Sequence, residues 1–134
     1  MRVLLFVLVL VAMVVSISVT KSIASGGRCI NTTIEVSPTS VASGETVQVT
    51  AHFTNCGGSN LSNVGAKAYA YREPALDCNT EIIPYTLIPN IGPGQTVNIS
   101  AELIPACVGD WEAYSSMHPS SLWAYGEAEF MVTP

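Results

Sequence analysis

The chain is poor in charge, above all in positive charge. Only five of its 134 residues are Lys or Arg, against ten Asp or Glu, giving a formal net charge of −5. Phosphate backbones are gripped by clustered cations, and anionic lipid attracts polybasic segments, so nucleic acid and electrostatic membrane docking are both excluded as partners. Histidine is scarce too, with two copies, His52 and His118. No pair of cysteines has the Cys-x-x-Cys spacing of a redox or zinc site. No Ser stands in a Gly-x-Ser-x-Gly elbow, and Asp77 and Asp110 have no acidic neighbour suited to acid–base work. Cys107, Met117 and His118 supply copper-type ligands, but a blue-copper set needs two histidines, so no cofactor or metal is expected. Nothing after Lys21 shows helical periodicity of useful length. These absences point away from an enzyme.

What is present is alternation. Ser43-Gly44-Glu45-Thr46 leads into Val47, Val49, Ala51 and Phe53 at every second position, and Pro93-Gly94-Gln95-Thr96 leads into Val97, Ile99, Ala101 and Leu103 in the same way. A period of two describes half-buried strands of an antiparallel sheet. Cys56 closes the first unit and Cys107 the second. Further strands are expected at 30–36, 64–71, 82–88, from 109 and at 128–132, with a turn at 37–40. Residues 82–88 belong at a sheet edge, because Pro84 cannot donate to a ladder. In strand 64–71, Val64, Ala66, Ala68 and Ala70 share the inward face, while Tyr69 and Tyr71 point the other way. About seven short strands with regular turns predict an all-β fold, an immunoglobulin-like antiparallel β-sandwich over residues 30–134.

Residues 1–24 read as a targeting segment. Arg2 precedes an apolar run over residues 3–19, Lys21 ends it, and Ser22-Ile23-Ala24 offers a small-residue cleavage site. The segment is expected to be an N-terminal hydrophobic helix, either a signal peptide cut after Ala24 or an uncleaved anchor at the lower length limit for a bilayer. Residues 25–29 form a spacer. Both readings export the domain to the extracellular space or cell surface, where cysteines form disulfides. Cys29 precedes the first strand and Cys56 ends the second, at one end of the sandwich. Cys78 and Cys107 fall in connections at the other end, so the expected pairs are 29–56 and 78–107. Asn31, Asn60 and Asn98 head Asn-x-Ser/Thr acceptor patterns for glycosylation.

Ile34-Glu35-Val36-Ser37-Pro38-Thr39, Ser43-Gly44-Glu45-Thr46-Val47, and Phe53-Thr54-Asn55-Cys56-Gly57 together resemble the first half of the CARDB-type domain. Ile91-Gly92-Pro93-Gly94-Gln95-Thr96-Val97 and Gly109-Asp110-Trp111 resemble its second half. CARDB-type domains are immunoglobulin-like, cell-adhesion-related modules of bacterial and archaeal surface proteins. The resemblance spans roughly residues 30–132 and implies fold more than function. The four cysteines depart from the usual pattern. The acidic cluster that often precedes the last strand is replaced here by Met117-His118-Pro119-Ser120-Ser121-Leu122-Trp123, so a calcium role does not carry over.

Trp111 is expected in the core and His52 on an outward, solvated face. Met117, His118, Trp123 and Tyr125 flank the last connection and form the candidate contact surface, since aromatic loop residues bury large area at low entropy cost. The leading expectation is a non-enzymatic structural or adhesion module, meeting a protein or glycan at the cell surface or copies of itself. Membrane contact is expected only through an uncleaved N-terminal helix. One alternative is a pilin-like filament subunit with the helix at the core, or a variant that exchanges a terminal strand. Another is a small secreted carrier holding an apolar molecule between its sheets.

Overall fold

The computed structural model describes residues 16–18, 23–25, 28–72, 78, 81–118 and 124–134. Their strands, in chain order, are β1 (Ser16–Ser18), β2 (Ile23–Ser25), β3 (Arg28–Ser37), β4 (Ser40–Ala42), β5 (Val47–Asn55), β6 (Leu61–Arg72), β7 (Glu81–Ile91), β8 (Thr96–Leu103), β9 (Gly109–His118) and β10 (Ala124–Thr133). One sheet runs β1-β3-β5-β8, with β2 also on the edge of β3; the other runs β4-β10-β9-β6-β7. All pairs are antiparallel except β4 with β10.

The alternation read from the sequence becomes the core between the sheets. Val47, Val49, Ala51 and Phe53 of β5 are fully buried, as are Ile30, Ile34 and Val36 of β3. Across from them lie Val64, Ala66, Ala68 and Ala70 of β6, Trp111, Ala113 and Met117 of β9, and Ala128, Phe130 and Val132 of β10. Each large apolar side chain so buried contributes about 1.5–3 kcal/mol. Trp111 stacks on Phe130 with ring centroids 5.8 Å apart, and its Nε1–H donates to the Cys107 carbonyl at 2.9 Å. Sheet edges bury less: on β8, Val97, Ile99 and Ala101 are half-buried and only Leu103 is fully inside.

Gly44 (φ 84°) and Gly94 (φ 73°) make the turns before β5 and β8, in a backbone region that L side chains rarely adopt. The repeat of glycine turn and strand is therefore a repeat of geometry. Asn55, at the end of β5, joins two loops. Its Nδ2 donates to Ser59 O at 2.7 Å and Ile91 O at 2.9 Å, and its Oδ1 accepts from Gly57 N–H at 2.9 Å.

The bridges join Cys29 to Cys56, with Cα atoms 4.8 Å apart, and Cys78 to Cys107 at 6.1 Å. They staple opposite ends of the sandwich. β7 lies at the outer edge of its sheet, as Pro84 requires, and its register on β6 shifts between Ala66 and Ala68.

Three expectations change. Ser40, expected at the end of a turn, instead opens β4, which buries Val41 and runs parallel to the end of β10. Residues 25–29, expected as a spacer, carry strand pairs: Ser25 pairs with Arg28 and Ala24 with Cys29, which joins β2 to β3. Within the expected N-terminal helix, Ser16–Ser18 and Ile23–Ser25 are strands, paired to β3. The remainder of residues 1–22 lies outside the described residues. Among those described, no helix is long and apolar enough to cross a membrane.

Candidate functional site

On β9 the inward positions are Trp111, Ala113, Ser115 and Met117, which sends Asp110, Glu112 and Tyr114 to the outer face of the second sheet. Beside it, β6 presents Lys67, Tyr69 and Tyr71; on the other side, β10 presents Glu127, Glu129 and Met131. Register then assembles the group. Tyr69 faces Tyr114, Tyr71 faces Glu112, Glu127 faces Tyr114 and Glu129 faces Glu112.

The three tyrosines form one stack. Centroids are 5.5 Å apart for Tyr69 and Tyr114, 5.4 Å for Tyr71 and Tyr114, and 6.2 Å for Tyr69 and Tyr71, with planes within 17° of parallel. Such pairs contribute about 0.5–1.5 kcal/mol beyond their burial. Tyr114 donates its hydroxyl hydrogen to Glu112 Oε2 at 2.5 Å, and Tyr71 donates to the same oxygen at 3.0 Å. The hydrogen bond to Glu112 pushes the Tyr114 phenol far above its ordinary value, helped by the hydroxyl of Tyr71, by burial and by the negative charges of Glu112 and Glu127. An open depression of about 300 Å³ beside the stack is lined by Asp110, Trp111, Glu112 and Glu129. Lys67 is the cation among the outward residues of β6, β9 and β10, so the face is aromatic and acidic.

The outer face of the first sheet is different. Thr50 bonds Ser100 at 2.9 Å, Thr54 bonds Thr96 at 2.7 Å, and His52 Nδ1 lies 2.7 Å from Asn98 Oδ1. His52 Nε2 lies 3.5 Å from Glu35 Oε1, so this histidine is outward, as expected, but held across three strands. Asn98 and Asn31 are both exposed on this face, and Asn60 is exposed in the β5–β6 loop.

Of the four residues expected to make contacts, Met117 belongs to the core. It occupies an inward position on β9, opposite Ala66 and Ala124, and is fully buried. His118 pairs with Gly65 and Tyr125 with Ser116 through their backbones. Trp123 lies outside the described residues. Tyr69 and Tyr71 were visible as an outward pair, but nothing in the sequence set them beside Tyr114. That required the pairing of β6 with β9, strands some forty residues apart.

No family model matches the chain, and no curated protein sequence matches it. Solved structures do. A crystal structure of a CARDB domain from Pyrococcus furiosus, in complex with di-metal ions, superposes with a TM-score of 0.66 at 12% identity, covering 84% of this chain and 95% of that one. The fold is that of the CARDB domain. The chain also superposes on the C-terminal domain of Wzt (TM-score 0.54, 12% identity, 86% of this chain and 78% of that one). A β-glucosidase from Listeria innocua matches over 84% of this chain but only 17% of its own length (TM-score 0.58, 12% identity). Among the described residues of this chain, no group of three His, Cys, Asp or Glu is placed to hold a metal ion. Two disulfides on a CARDB fold point to an extracellular setting.

Proposed function

We propose that the chain is a non-enzymatic structural or adhesion module outside the cell, and that the outer face of its second sheet is its contact surface. The observation that carries this reading is the Tyr69–Tyr71–Tyr114 stack gathered on Glu112 at the solvent side of β6 and β9. Rigid aromatic groups with polar tips offer large contact area at small entropic cost, which is why tyrosine is favoured at interfaces. The partner is a protein or glycan at the cell surface, and the carboxylates of Asp110, Glu127 and Glu129 favour one that brings positive charge. Sugars on Asn31 and Asn98 would coat the opposite face and leave this one clear. Two groups able to do chemistry are otherwise engaged: the four cysteines are bridged and His52 Nδ1 is bonded to Asn98.

The test is a full chain carrying Tyr69→Ser, Tyr71→Ser and Tyr114→Ser. We expect both bridges and the β-sheet spectrum to persist while attachment to source cells falls at least tenfold. Unchanged attachment would sink the reading.

A second reading, a subunit of a filament, is favoured by the N-terminal strands paired to the edge of β3. The carrier reading loses ground at Gly126, where β10 approaches β3 so closely that a Cβ would lie 3.2 Å from the Thr33 backbone.

A further inference from the structure

The outer edge of β3 is covered by short strands that precede it in the chain. β2 pairs with the first residues of β3, from Ser25↔Arg28 to Ile23↔Ile30, and β1 pairs with its last part as Ser16↔Val36, Ile17↔Glu35 and Ser18↔Ile34. Only Gly26 and Gly27 separate the two partners Ser25 and Arg28. Neither disulfide holds these strands. Cys29–Cys56 ties β3 to the end of β5, and Cys78–Cys107 ties the far end of the sandwich. Within the first sheet these edge strands are attached by the ladder to β3, and β1 also lies against β10 of the second sheet.

The sequence ahead of them is apolar. Residues 3–19 are apolar but for two serines, and Val3, Val7, Val9, Val11, Val14, Val15, Ile17 and Val19 are β-branched. Such residues favour strand over helix in water, and an apolar run of this length left in water would drive association.

We propose that the edge strand is exchanged between copies: Ser16–Ser18 and Ile23–Ser25 of one chain add to β3 of a second chain in the register seen within one chain. The inference rests on the filament reading, in which residues 1–25 stay on the working protein. The contacts made are the same whether the strand pairs at home or abroad, so exchange costs little beyond the association itself. The occupant is a second copy, because its strand already has the matching register and the Ile17 and Glu35 positions to meet. Each chain gives a strand at one place and receives one at another. The contact is head to tail and extends into a filament unless it closes into a ring.

The experiment uses two full-length variants, Ile17→Cys and Glu35→Cys, mixed and oxidised. Directly opposed residues in an antiparallel pair have Cα atoms about 4.5–5.5 Å apart, within disulfide reach. We expect a cross-linked dimer in which peptide mapping joins residue 17 of one chain to residue 35 of the other. If the mixture yields no 17–35 link while the double variant links within one chain, the strand stays at home and the proposal is overturned. A second variant guards against misfolding of the first two. Ile17→Pro places a strand-disfavouring residue at the centre of β1, outside the stapled domain. It should abolish species larger than the monomer in native mass spectra while both bridges remain. Assembly unchanged by Ile17→Pro overturns the proposal, as does a native chain that begins at Ser25. Either of those results would leave the tyrosine-face module standing, since that face lies on the other sheet.

Discussion

Tyr114 is the residue whose protonation the fold controls most. In the unfolded chain its phenol ionises near pH 10.0; in the folded chain Glu112 and Tyr71 hold the proton far beyond that. The folded state thus binds more protons than the unfolded state above pH 10, and stability falls as pH rises there. Below that value the contribution is fully present. Absorbance at 295 nm across an alkaline titration should show one tyrosine that ionises only as the protein unfolds, and Glu112→Gln should release it. All tyrosines titrating together near their ordinary value would overturn the geometry at Glu112. Gly126 gives a second prediction at this scale. A Cβ there would meet Ser115 Oγ at 2.8 Å and the Thr33 backbone at 3.2 Å. The hydroxyl can swing away but the backbone cannot, so Gly126→Ala should cost about 1–3 kcal/mol in denaturant unfolding. A change near zero would mean that the two sheets are not held so closely.

At the scale of elements, the staples and loop anchors matter most. The Cys29–Cys56 bridge closes a loop with a sequence separation of 27, and the backbone N–H of Cys56 also donates to Cys29 O at 3.1 Å. Replacing both cysteines with alanine should cost about 2–4 kcal/mol, read from chemical denaturation of the oxidised protein. Asn55 should matter comparably. Asn55→Ala leaves the carbonyls of Ser59 and Ile91 and the N–H of Gly57 without that partner, at a cost of about 1–3 kcal/mol. The strands themselves were legible because each alternates in residue type: β5 shows it most clearly, with four inward residues fully buried. β4 was not legible, since its three residues are too few to show a period and its partner, the end of β10, is far away in sequence. β2 was hidden by a different cause. Ser22-Ile23-Ala24 reads as a cleavage site, and the glycine pair that follows Ser25 reads as a spacer until the register shows β2 paired with β3.

For the whole molecule, the two outer faces divide the surface into unlike halves. Asn31 and Asn98 lie on the threonine-rich face, and the tyrosine stack lies on the other. Native protein carrying Asn98→Gln should lose the mass of one glycan with no change in attachment through the tyrosine face. Loss of attachment in that variant would place the contact surface on the wrong sheet. Composition and alternation by themselves determined the all-β class, the edge position of the proline-bearing strand and the inward stripes. Each of those follows from a rule acting on residues close together in the chain. Which outward residues meet was decided by the tertiary structure alone. Tyr71 and Glu112 each look like an ordinary solvent-side residue on its own strand. Only the antiparallel register of β6 on β9 sets them side by side, and register is fixed by the inward faces buried in the core.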